Sequence, residues 1–165
     1  MSGGVRNLMV TNCTFMGTDI GLRFKSRRGR GGLVENIRIT NIRMTSIPRD
    51  AISFNFVYGG QSPTDETTAS TEAKIPPVTE ETPVFRNFHF ENIVCRGAQN
   101  AIIIQGLAEM PLRDIFLKNV SITSEKGAVV EDADGIHFDN VQINSKSGPQ
   151  LSQTRVKNSS LELTR

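Results

Sequence analysis

Val5-Arg6-Asn7-Leu8-Met9-Val10-Thr11-Asn12-Cys13-Thr14-Phe15 (VRNLMVTNCTF, 5–15) is the first of six copies of an eleven-residue pattern. The others are VENIRITNIRM from Val34, FRNFHFENIVC from Phe85, LRDIFLKNVSI from Leu112, ADGIHFDNVQI from Ala133 and a weaker LSQTRVKNSSL from Leu151. Each carries asparagine at its eighth place: Asn12, Asn41, Asn92, Asn119, Asn140 and Asn158. Before that residue the apolar positions alternate, as Leu8 and Val10 do, which marks a strand with one buried face. After it the phase slips by one residue, to Cys13 and Phe15. The slip recurs at Ile37, Ile39 then Ile42, Met44, and at Phe88, Phe90 then Ile93, Cys95. Both halves can face one core only if the chain bends between them. Asparagine suits that bend because it tolerates the left-handed backbone region.

Successive corner asparagines are 29, 51, 27, 21 and 18 residues apart (41−12, 92−41, 119−92, 140−119, 158−140). Apart from the longest, these intervals match one turn of a parallel β-helix. The expected fold class is therefore all-β: a right-handed parallel β-helix of about six coils, rising ~4.8 Å per coil. A β-sandwich would not repeat an asparagine in register. Stacking predicts that Asn12, Asn41, Asn92, Asn119 and Asn140 form an internal ladder inside one corner, with Asn158 at a fraying end. Asn92→Ala is then expected to cost about 1–3 kcal/mol by depriving buried amides of a partner. The same change at Asn100, outside the corner, should matter less. Occupied ladder amides also argue against glycans at the sequons that begin at Asn12, Asn119 and Asn158.

Further strands are expected where Leu22 and Phe24 alternate with Arg23 and Lys25, and where Ile52, Phe54 and Phe56 alternate with Ser53 and Asn55. Residues 59–83 are rich in Thr, Glu, Pro, Ser and Gly, with almost no core formers, and read as a surface loop hung on one coil. The chain is thus expected to be one β-helix domain over residues 1–165.

The charge balance, 19 Lys+Arg against 17 Asp+Glu, names no partner, but Arg23, Lys25, Arg27, Arg28 and Arg30 cluster five cations. Nucleic acid is not the expected ligand, because Phe24 is the only aromatic in that stretch and its alternation buries it. No apolar run is long enough to span a membrane, and no cationic, apolar leader is visible, so no membrane partner is expected. Two cysteines, Cys13 and Cys95, cannot make a disulfide scaffold and have no metal-site spacing. They should lie two coils, about 10 Å, apart and so remain two free buried thiols. No metal or other cofactor is expected.

The stretch Ser2–Gly32, followed by VENIRITNIRM, resembles family 28 of the glycoside hydrolases, the polygalacturonases. Its most specific element is Gly21-Leu22-Arg23-Phe24-Lys25-Ser26, which matches the family's Arg-Ile-Lys motif with Phe24 in place of Ile. The resemblance implies inverting hydrolysis of α-1,4 bonds between galacturonic acids in pectin. It also implies a secreted or periplasmic protein, because pectin lies outside the cytoplasm. Arg23 and Lys25 would bind substrate carboxylate, an assignment their chemistry supports: a planar fork and a point charge on one strand face suit a uronate. Tyr58, the only tyrosine, stands at the distance where the family places a further substrate contact. The family's catalytic Asn-Thr-Asp and Asp-Asp motifs and its Gly-His-Gly histidine precede the Arg-x-Lys motif, and none occurs here. The chain is expected to hold no catalytic residue and to bind without cleaving. His89 and His137 read as surface residues at non-equivalent outward positions, and Asp19 as a groove-lining carboxylate. The other reading is a noncatalytic β-helix module that binds an anionic polysaccharide.

The two ends of the repeat array differ. The last copy is polar at Thr154 and Ser159, as a terminal coil should be, whereas Val5, Leu8, Val10, Cys13 and Phe15 make a full-strength first coil. That asymmetry predicts part of a larger β-helix, unstable alone or self-associating through its first coil.

Overall fold

A computed structural model of the protein describes residues 3–56 and 75–164. Tyr58 and residues 59–74 of the inserted loop lie outside the described residues. The strands are β1 (Val5–Met16), β2 (Leu22–Lys25), β3 (Leu33–Asn55), β4 (Val84–Gln105) and β5 (Leu112–Lys157). They pair in parallel in the order β1-β3-β4-β5, with β2 also on β3. Such long strands are successive sides of a coil joined at bends, and the fold is the parallel β-helix expected from the repeat.

The bends obey a simpler rule than the eleven-residue pattern shows. Left-handed residues recur every fifth position: Asn7, Asn12 and Gly17; Asn36, Asn41 and Ser46; Asn87, Asn92 and Gly97; then Asp114 and Asn119. Each is followed by four residues, of which the first and third point inward. Ile37, Ile39, Ile42 and Met44 are at most 2% exposed, and Phe88, Phe90, Ile93 and Cys95 at most 1%. The parity slip is therefore one left-handed residue per side, which re-aims the strand without losing the core.

The ladder forms. The amide of Asn41 donates to Asn12 Oδ1 (3.0 Å), Asn92 to Asn41 (3.0 Å), Asn119 to Asn92 (3.2 Å) and Asn140 to Asn119 (2.9 Å). It lies on the outside of the corner, not inside: all five side chains are exposed. A positive φ swings the asparagine outward, and the next residue takes the inward position. Asn158 is also placed differently. His137 bridges to Ser160, which sets Asn158 beside Gly135, in the column of third-place corners, and its amide donates to Asp134 Oδ1 (2.8 Å). That column has its own ladder, missed in the sequence: Asn36 donates to Asn7 (3.0 Å) and Asn87 to Asn36 (2.6 Å).

An exposed ladder changes the expected cost of breaking it. In Asn92→Ala, water replaces the lost bonds, while alanine strains at φ 57. The combined loss should be about 1–2 kcal/mol in chemical denaturation, and Asn92→Gly, which relieves the strain, should lose less. Equal losses for the two variants would mean that backbone strain at the left-handed bend contributes little. Asn100 is a poor control, because its amide donates to the carboxylate of buried Asp50 (2.8 Å).

The core is a stack of aliphatic rows with one aromatic knot. Phe24 stacks on Phe54 at 4.6 Å, and Phe88 meets both edge-on, at 5.1 and 4.9 Å. Both thiols are free, as expected, but only Cys95 is buried; Cys13 is half-buried on the outermost strand.

Candidate functional site

The knot fixes the strand that carries the two candidate cations. On β2, Leu22 and Phe24 point into the core, so Arg23 and Lys25 point out, and both are exposed. The entry to β2 is pinned at Gly21, whose N–H donates to the carbonyl of Asp50 (2.9 Å). A Cβ at Gly21 would lie 2.5 Å from the carbonyl oxygen of Ala51 and 2.3 Å from Met44 Sδ, so only glycine lets the chain approach this closely. The phenylalanine inside the Arg-x-Lys motif thus aligns with Phe54 in the next coil and holds the two cations on one face.

The rest of the basic cluster divides. Arg28 folds away from the pair and binds Glu109, with Nη2 donating to Oε2 at 2.7 Å and Nε to Oε1. The Glu109 side chain is only 3% exposed. Burial alone would raise its pKa, but the bonds from Arg28 outweigh that and hold it below the usual carboxylate range. The bond to Glu109 likewise raises the pKa of Arg28. Arg28 is therefore a brace between the turn after β2 and the loop after β4. Glu109 escaped the sequence reading because its loop carries no repeat. Asp19 precedes β2 and pairs with Arg49 at 3.8 Å, on the surface.

A concavity of about 270 Å³ lies where the third-place and eighth-place corners frame an outer face, lined by Arg38, His89, Glu91, Phe116, Lys118 and His137. His89, Phe116 and His137 stack at 4.7 and 5.2 Å between centroids. The two histidines occupy the same place in alternate copies, three residues before Asn92 and Asn140, with Phe116 at that place in the copy between, so their positions are equivalent, contrary to the sequence reading. His89 Nε2 bonds Asn87 Oδ1 at 2.7 Å, where the asparagine column gives way to Asp114. Burial, then the charge of Arg38, lowers the pKa of His89. The rings lie nearly parallel, at 11° and 18°, and stack face to face. No group of three or more potential metal ligands occurs among the described residues.

The profile of the glycosyl hydrolases family 28 matches residues 2–127. A probable polygalacturonase of Arabidopsis thaliana is 26% identical over 131 residues, which cover 79% of this chain and 27% of the relative. The chain thus spans about a quarter of the length of that relative. No solved structure matches it at comparable significance. The matched stretch runs from the first coil into β5 and includes Arg23 and Lys25, and on that match the chain belongs to family 28 of the glycosyl hydrolases.

Proposed function

We propose that this chain is the C-terminal β-helix part of a polygalacturonase-like hydrolase that acts on pectin. Arg23 and Lys25 hold a substrate carboxylate, and Tyr58 adds a contact. The observation that supports this reading is the pair of exposed cations, one residue apart on β2, inside the family match. Their strand is held from behind by Phe24 and Phe54, so binding need not order the backbone. The catalytic carboxylates belong to coils that precede Val5 in a longer β-helix. The parent acts outside the cytoplasm, where pectin is met, and needs no metal or cofactor.

The reading is tested by calorimetric titration of the chain with trigalacturonate and with a neutral galactose trimer of the same linkage. The acidic trimer should bind and the neutral one should not, and binding should weaken with added salt. Equal binding of both, or of neither, would overturn the reading. A noncatalytic module would bind in the same way, and the two are separated by whether the full-length parent hydrolyses polygalacturonate.

A further inference from the structure

The outward positions change character along the stack beyond the two cations. In register with Lys25 stand Asn55, Gln105 and then Glu131; in register with Arg23 stand Ser53, Ile103 and then Val129. Each step is one strand spacing, ~4.8 Å. β2 is four residues long, and after it the chain turns at residues 27–30, where Arg30 N–H meets the Arg27 carbonyl (3.2 Å). Among the described residues, an extended oligosaccharide longer than two or three units therefore finds a continuous surface along the stack, across β3, β4 and β5.

A sugar chain held by one carboxylate at Arg23 and Lys25 and running toward β5 next meets amides, then aliphatic side chains, then an acid. Ile103 is half-buried and Val129 is 36% exposed, both on this outer face. Two cations beside these coils are already engaged. Arg28 is bound to Glu109, and Arg155 binds Glu131 (2.7 Å) together with Asp132. A free carboxylate seated over Gln105 would face Glu131 and gain nothing from Arg28 or Arg155, which are already bound. An ester would bring its methyl group to Ile103 and Val129, with its carbonyl within reach of an amide donor.

We propose that the coils carrying Gln105, Ile103 and Val129 form a specificity subsite for a methyl-esterified uronate, two to three coils along from the unit held at Arg23 and Lys25. Gln105 is the hydrogen-bonding residue of that subsite, and Glu131 disfavours the free acid. The proposal rests on the carboxylate-binding reading of Arg23 and Lys25.

The test is calorimetric titration of the chain with tetragalacturonate and, separately, with each singly methyl-esterified isomer. One isomer should bind about fivefold tighter than the free acid, the scale of one like-charge contact near a surface. Gln105→Arg, at a partly exposed position, should reverse that preference while leaving the thermal melt unchanged. If the free acid binds at least as tightly as every isomer, or if Gln105→Arg leaves the ratio as it was, the subsite is refuted. Those results would leave Arg23 and Lys25 untouched. Failure of the underlying reading looks different: no tetramer binds, or Arg23→Ala leaves every affinity unchanged.

Discussion

Arg23→Ala and Lys25→Ala should each weaken oligogalacturonate binding by about 10- to 100-fold, the loss expected when a hydrogen bond to a charged partner is removed. In the full-length parent the same changes should lower kcat/KM on polygalacturonate by a similar factor. Lys25→Arg should recover part of the loss, because a cation remains although its geometry differs, whereas Arg23→Lys should recover less if the fork of Arg23 engages both carboxylate oxygens. Neither change should reduce stability appreciably: both side chains are exposed on a strand whose inner face is held by Leu22 and Phe24. The measurement is titration of each variant alongside its thermal melt. Wild-type affinity and kinetics in both alanine variants would remove the substrate site from β2.

The fold was legible because the repeat carries its own geometry. Asparagine at the eighth place, with apolar residues slipping phase across it, is enough to require a bend and a stack. The third-place column was harder to see, because its chemistry drifts from Asn7, Asn36 and Asn87 to Asp114 and Gly135 while its backbone stays left-handed. Conformation is the constant there and residue type is not, so a search for identical residues passes over it. The same drift misaligned the last copy. Asn158 was read as an eighth-place corner because it is an asparagine, yet pairing puts it in the third-place column. The side on which the ladder lies was not legible either, since alternation alone assigns a face only while the strand is straight.

At the candidate site, the outward direction of Arg23 and Lys25 followed from Leu22 and Phe24. The capture of Arg28 by Glu109 did not, because it joins residues 81 apart through a loop with no periodic signal. The register that sets Gln105 and Glu131 in line with Lys25 also depends on a long insertion, which hides the alignment of β3 with β4 from any constant-period reading.

The two thiols should report the difference between the open first coil and the closed core. Cys95 is 1% exposed, and burial raises its pKa to about 11 from the ordinary 9.0. At a pH below both values that shift leaves about a hundredfold less thiolate, the reactive species, before access is considered. Cys13 is half-buried on β1, which pairs only with β3 among the described strands. The core beneath β1 is open as well: Leu8 is 43% exposed, while its in-register neighbour Ile37 is 1% exposed. Cys13 should therefore react with an aromatic disulfide reagent under native conditions, and Cys95 only at the rate of global unfolding, orders of magnitude more slowly. Intact-mass measurement should find no loss of two hydrogens before labelling, and peptide mapping should place the first label on Cys13. Equal rates would mean that the core opens as readily as the edge. A protected Cys13 would mean that β1 is covered, and light scattering of the same sample would show whether a second copy covers it.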